Sequence, residues 1–167
     1  MGQLSLPIED ESQWPETCVI VSLMPRYYHA LVIDQDKRYE YRRGAFIQRP
    51  VTAFVYSTLS RSKEDEGFPR GEIGGVVQLG APIVGLEEVI RVKETEEAGS
   101  RQMMLDWLKG FSTASAHPVK KVHRFKRPVS LERLRSRFLD FHPPQRYLVL
   151  NRKAELLEFL KRESGAF

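Results

Sequence analysis

Short apolar runs separated by polar turns recur along this chain, and most of them have the length of a β-strand. Residues 18–23 and 51–56 are dense in β-branched side chains, so each predicts a buried strand. Residues 71–80 and 146–150 also have strand character. Within the first of these two segments, Gly74-Gly75 predicts a bulge or a close approach of another part of the chain.

A second pattern, with apolar positions three and four residues apart, predicts helices between the strands. It occurs at residues 26–33, 85–92, 100–108, 131–138 and 153–162. Ser100 and Ser130 are predicted N-caps, and Gly110 is a predicted stop signal. Residues 59–70 are charged and have no periodicity, so they predict a long mobile loop.

Residues 37–44 predict a further strand, and its charge pattern is unusual. Alternation along a strand places Arg38, Glu40 and Arg42 on one face, with Lys37 at its start. A carboxylate between two guanidinium groups suits a site for a phosphate or the polar edge of a base, because a guanidinium offers a planar fork of donors. The alternative is a solvated strand face with salt bridges, which stabilises a fold little.

Together these elements predict an α+β fold, a small and mostly antiparallel β-barrel of the PUA-like type flanked by short helices. Five or six short strands are interrupted by helices without regular βαβ alternation. We expect residues 1–16 to form an irregular leader, residues 17–151 to form the domain, and residues 152–167 to form an amphipathic helix packed on it.

The 167 residues suffice for one domain with a real core, and 41% hydrophobic and 29% charged residues are typical of a globular protein. No apolar run approaches the ~20 residues that span a bilayer. The first residues lack the pattern of a secretory signal, so we expect a cytoplasmic protein with no membrane partner. Cys18 is the lone cysteine, which excludes an internal disulfide and a cysteine-based zinc cluster. The four histidines lack metal-ligand spacing, and we expect neither metal nor cofactor.

Basic residues are concentrated in the C-terminal third of the chain. The net charge is +4, but residues 120–153 hold eleven Lys and Arg against two acids, whereas residues 59–99 hold nine acids against five bases. Such asymmetry is typical of a surface that meets a polyanion. The residues that we expect to bind nucleic acid lie in or just after a predicted strand at residues 119–125, and they are Lys120, Lys121, Arg124, Lys126 and Arg127. The alternative is an edge strand protected by lysines against pairing.

Five short stretches occur in the order and spacing of ASCH domains, the PUA-like barrels related to an activating signal cointegrator. They are VSLMPRY at residues 21–27, KRYEYRR at 37–43, VYS at 55–57, GEIGGVV at 71–77 and PPQRY at 143–147. Over residues 17–151 the chain therefore resembles that family. The resemblance implies a β-barrel with a cleft between barrel and helices, and the binding of RNA in the regulation of transcription or translation.

The same resemblance implies which residues form the cleft. It places Lys37, Glu40 and Arg42 inside, Tyr56 and Ser57 at the wall, and Gln145 near the rim. We expect phosphates of RNA or of a nucleotide to bind Arg26 and Arg42, together with the basic strand. For Ser57, capping of the backbone is the alternative, because no glycine-flanked elbow surrounds it.

An enzyme is the alternative function. Some small ASCH proteins resemble amidohydrolases that remove acyl groups from modified cytidine with a lysine, a threonine three residues later and a downstream glutamate. Here Lys37 stands at the lysine position, but Glu40 replaces the threonine. A carboxylate cannot act as the hydroxyl nucleophile, so this hypothesis gives both residues proton-transfer roles in the hydrolysis of acylated pyrimidine nucleosides. A third hypothesis is an interaction domain that binds a peptide or protein.

Overall fold

The computed structural model describes residues 13–167, and seven strands in this part of the chain form one curled, mixed sheet that closes into a half-barrel. The strands are β1 (Cys18–Leu23), β2 (Tyr39–Arg43), β3 (Val51–Ser57), β4 (Glu72–Leu79), β5 (Ile83–Val84), β6 (Ala114–Ser130) and β7 (Tyr147–Val149). Their order is β2-β6-β4-β3-β1-β7, with β5 also paired to β6. Only β1 and β3 pair in parallel among these strands, so the predicted mostly antiparallel α+β fold is confirmed.

Short helices flank the sheet, and each of the five predicted helices is present. They are α1 (Pro25–Tyr28), which continues into a π-helical turn at His29–Ile33, α2 (Leu86–Glu96), α3 (Arg101–Leu108), α4 (Leu131–Arg137) and α5 (Ala154–Ser164). Ser130 caps α4, because its hydroxyl accepts a hydrogen bond from the backbone N–H of Arg133 at 3.1 Å. Ser100 stands at the N-cap position of α3, but its buried hydroxyl makes no capping bond.

Both faces of the central strands are covered, which explains why β1 and β3 are apolar throughout rather than alternating. Alternate side chains enter two different core layers. Ile20 and Phe54 pack under α4 and α5, whereas Val21 and Val55 pack against the π-helical turn and Phe46. A third apolar cluster lies between α2, α3 and the outer face of β2 and β6.

The structure has more strand than the sequence predicted, and most of the excess is in β6. The predicted strand at residues 119–125 extends in both directions to 17 residues. Its first part, residues 114–118, pairs with β2 on one side and β5 on the other. Two Ala and two prolines made this strand hard to recognise, because both residue types are depleted in strand interiors.

The loop predicted for residues 59–70 is anchored at its centre. It contains a single 3₁₀ turn, Lys63–Asp65, in which the Asp65 side chain is buried. That carboxylate accepts hydrogen bonds from the backbone N–H of Arg26 at 3.1 Å and from the Ser60 hydroxyl at 2.5 Å. The loop is therefore tied to the start of α1.

Residues 1–12, most of the predicted leader, lie outside the described residues. Trp14, which follows them, packs against the core layer of α4 and α5. The C-terminal helix α5 contributes Leu156, Phe159 and Leu160 to the same layer. Within residues 13–167, none of the helices combines the length and apolar character needed to cross a membrane.

Gly75 illustrates how closely the π-helical turn packs on the sheet. A Cβ at this position would lie 2.6 Å from Cγ1 of Val32, which is fully buried. We therefore expect Gly75→Ala to lower the free energy of unfolding by about 1–3 kcal/mol through overpacking. Urea denaturation followed by circular dichroism measures this change. In a Val32→Ala background, Gly75→Ala should lower the free energy of unfolding by a smaller amount, because the opposing methyl groups of Val32 are absent. Equal losses in the two backgrounds would show that the contact is not the cause.

Candidate functional site

A buried carboxylate, Glu40 in β2, forms the centre of the candidate site. Only 4% of Glu40 is exposed, and the strand pairing sets it beside His117 of β6. Its Oε2 lies 2.7 Å from Lys37 Nζ, and its Oε1 lies 3.3 Å from Arg42 Nε. The sequence placed these three charged residues together, and the structure brings them into contact as one cation–carboxylate–cation cluster.

The two cations decide the charge of Glu40. Burial alone raises the pKa of a carboxyl group, but the charges of Lys37 and Arg42 and the Lys37 hydrogen bond outweigh burial and hold the pKa of Glu40 below its ordinary value. Glu40 is therefore ionised at neutral pH. A carboxylate with a lowered pKa is also a weaker proton acceptor than an ordinary glutamate.

Arg42 retains donors that the cluster does not use. Its side chain is 14% exposed, so its guanidinium is largely removed from water. Neither Nε nor Nη2 has a hydrogen-bond partner among the described residues, and the 3.3 Å approach to Glu40 lacks hydrogen-bond geometry. Buried donors without partners are rare in folded proteins, because each costs desolvation free energy. Arg42 therefore carries two buried donors that make no hydrogen bond within residues 13–167.

The floor of the site consists of residues that the sequence interpretation missed. His117 is fully buried, and its Nε2 lies 3.0 Å from the hydroxyl of buried Ser115. Burial lowers the pKa of His117 to about 4, so the imidazole is neutral at pH 7. The ring of Phe46 packs edge-on against His117 at 4.8 Å and lies 5.4 Å from the Arg42 guanidinium carbon.

Tyr27, on α1, lies beside the charged cluster. Almost half of it, 47%, is exposed, and Lys37 Nζ lies 5.3 Å from its ring centroid. The Arg26 guanidinium carbon lies 4.6 Å from the same ring. Arg26, predicted as a phosphate ligand, is also ion-paired to Asp65 at 3.1 Å and Glu64 at 3.3 Å. It already has internal anionic partners in the loop.

Three further predicted ligands differ in their exposure, and two of them are buried. Tyr56 is buried in the core layer of α4 and α5, on the face of the sheet away from Phe46. Ser57 is fully buried, and its hydroxyl donates to the backbone carbonyl of Pro69 at 2.6 Å, which is the capping role considered as the alternative. Gln145 is exposed in the loop before β7.

The basic strand does not present its five cations on a single face. All of them are exposed: Lys120, Lys121, Arg124, Lys126 and Arg127. Lys121 Nζ lies 4.7 Å from the ring of Trp14, on the side of the sheet that α5 covers. Arg124 is on the opposite side, close enough to lower the pKa of Tyr28, which burial and Glu72 raise. Lys121 and Arg124 therefore lie on opposite sides of the sheet.

The missed residues left only a weak signal in the sequence. Ser115 and His117 alternate with Ala114 and Ala116, which is the period of a strand, but Pro118 follows at once and is unusual in a strand interior. Within residues 13–167, no three His, Cys, Asp or Glu side chains converge as a metal site would require.

Comparison with solved structures shows the fold. No protein-family model matches the sequence, and no curated protein matches it. The crystal structure of ASCH from Zymomonas mobilis is similar with a TM-score of 0.66 and 23% sequence identity, over 86% of this chain and 94% of that chain. A serine-to-alanine variant of the same protein is similar with a TM-score of 0.65 and 21% sequence identity, over 85% of this chain and 95% of that chain. For a tyrosine-to-phenylalanine variant the TM-score is 0.64 and the sequence identity is 21%, over 84% of this chain and 96% of that chain. The chain therefore has the ASCH domain fold.

Titration of His117 provides a test of the buried floor. Because its folded-state pKa of about 4 lies below the ordinary value near 6.5, the unfolded state takes up a proton first as the pH falls. We expect this residue to contribute roughly 3 kcal/mol of stability that is present above pH 6.5 and is lost between pH 6.5 and 4. Urea denaturation at several pH values should show a shallower decline for His117→Gln. Parallel declines, or an imidazole NMR titration in the wild type with a midpoint above pH 6, would contradict this arrangement.

Proposed function

We propose that this ASCH-fold chain binds RNA or a nucleotide in the cleft above Glu40, and that it serves as a regulatory module in transcription or translation. The observation that carries the proposal is Arg42, whose buried Nε and Nη2 donors lack hydrogen-bond partners among the described residues. A guanidinium with unused donors suits a phosphate oxygen or the acceptor edge of a base.

The surroundings of Arg42 support a nucleotide rather than a small inorganic anion. Tyr27 offers an exposed ring beside the charged cluster, and aromatic rings are the surfaces on which unpaired bases stack. Lys37 lies between that ring and Glu40 and brings a second positive charge. In this proposal the base stacks at Tyr27 while its phosphate or polar edge meets Arg42. Glu40 holds the two cations in position.

Hydrolysis of an acylated pyrimidine nucleoside is the second candidate. It is favoured by the 2.7 Å contact between Lys37 Nζ and Glu40 Oε2, a distance over which a proton can transfer. The lowered pKa of Glu40 makes it a weak base, so we place binding first. Turnover of N-acylated cytidine by purified wild type that is lost in Lys37→Ala would reverse this order.

The binding proposal predicts a specific effect of Arg42. Because hydrogen bonds to charged groups contribute about 1.5–3 kcal/mol, Arg42→Ala should weaken binding of a short single-stranded RNA about ten- to hundredfold. Arg42→Lys keeps the charge beside Glu40 but lacks the planar guanidinium with its parallel donors, so its loss of RNA affinity should be intermediate. Fluorescence anisotropy at several salt concentrations measures both changes.

The matched control is Arg162→Ala, which removes an exposed cation from α5, on the far side of the sheet. Its affinity should remain within about twofold of wild type, since it loses a charge but no ligand contact. If Arg42→Ala binds RNA as tightly as this control, and both variants are folded by circular dichroism, the cleft is not the RNA site.

A further inference from the structure

A second exposed surface, which combines aromatic rings with guanidinium groups, surrounds Gly44, the residue that follows β2. Gly44 has a φ of +77°, and a Cβ there would lie 2.6 Å from Arg146 Nη2 and 3.4 Å from Phe111 Cδ1. Arg146 Nη2 donates to the backbone carbonyl of Arg43 at 2.5 Å. Three segments that are distant in sequence therefore meet at this one glycine, and its missing side chain makes their approach possible.

Aromatic rings and guanidinium groups alternate on this surface. The Arg43 guanidinium carbon lies 5.0 Å from the ring centroid of Phe111 and 5.6 Å from that of Trp107. Arg43 also donates to the Trp107 carbonyl at 3.2 Å, which fixes its orientation. Phe111 is 36% exposed, and Arg43 and Arg146 are exposed. We call Arg43, Trp107, Phe111 and Arg146 the Gly44 surface.

The Gly44 surface begins one residue along β2 from Arg42 of the charged cluster. Arg42 and Arg43 are consecutive, so their side chains point to opposite faces of β2. Because β2 is the terminal strand of the sheet order, one of its edges is not paired within the sheet. Phe46 lies 5.4 Å from the Arg42 guanidinium carbon, and its ring lies 4.7 Å from that of Tyr147, the residue that follows Arg146 in the sequence.

We propose that the Gly44 surface binds the nucleotide adjacent to the one in the cleft, which makes single-stranded RNA the ligand of this protein. The inference rests on the proposed function of the cleft and extends it. A base stacks on the exposed Phe111 ring and the Arg43 plane, and Arg146 contacts the linking phosphate. An unpaired strand is required, because bases in a duplex are stacked on one another and cannot reach an aromatic side chain.

The test compares ligands of different length on the same variants. The probes are the four nucleoside 5′-monophosphates, an eight-nucleotide single-stranded RNA of mixed sequence, and that RNA as a duplex. Phe111→Leu should weaken binding of the single strand about tenfold and leave monophosphate binding unchanged, whereas Phe111→Tyr keeps the ring and should restore affinity. Arg146→Ala should lower the salt dependence of single-strand binding by about one phosphate contact. Arg162→Ala is the control for charge.

The outcomes separate this inference from the proposal for the cleft. If Phe111→Leu leaves single-strand affinity unchanged while Arg42→Ala weakens both single strand and monophosphates, the Gly44 surface is not a subsite and the cleft proposal stands. If Phe111→Leu weakens the single strand but Arg42→Ala affects neither ligand, the cleft proposal fails instead. Equal affinity for the duplex and the single strand overturns the stacking role and points to a different use of the surface, such as a protein contact.

Discussion

The candidate site depends on the burial of one ionised carboxylate, Glu40. Removing a carboxylate from water costs several kcal/mol, and only well-placed cations offset this cost. Lys37 and Arg42 provide that compensation from the same strand and the residues before it. Two cations carry more donors than one carboxylate can accept, so Nε and Nη2 of Arg42 remain without a hydrogen-bond partner among the described residues. The cluster that stabilises the buried carboxylate thus leaves two guanidinium nitrogens of Arg42 without a hydrogen bond among those residues.

The fold surrounds this charged cluster with uncharged side chains. The strand pairing of β2 with β6 sets His117 beside Glu40, and burial keeps its imidazole neutral at pH 7. Phe46 closes the other side with an apolar ring. Because charges interact more strongly where water is excluded, these uncharged neighbours strengthen the attraction between Glu40 and its two cations. The long strand β6 thus serves both the sheet and the site.

Local periodicity made the charged face of β2 predictable, whereas pairing between distant segments was not. Glu40 and Arg42 share a face because side chains alternate along any strand, and the sequence shows this directly. His117 joins them only through pairing across more than 70 residues, in a segment ending at a proline that obscured its strand character. Arg26 could be recognised as basic, but its pairing with Asp65 depends on where a distant loop docks. Tyr56 was assigned to the cleft by resemblance, and the alternation of β3 directs it into the opposite core layer.

The most direct test observes the Arg42 side chain itself while RNA binds. In a ¹⁵N–¹H NMR titration of the arginine Nε resonances, the Arg42 signal can be identified by its absence in the Arg42→Lys spectrum. If the account is correct, adding a short single-stranded RNA shifts this resonance and slows its exchange with water, because a donor without a partner gains an acceptor. If RNA binding saturates while the Arg42 Nε–H resonance keeps its position and exchange rate, the buried cluster at Glu40 is not where the ligand binds.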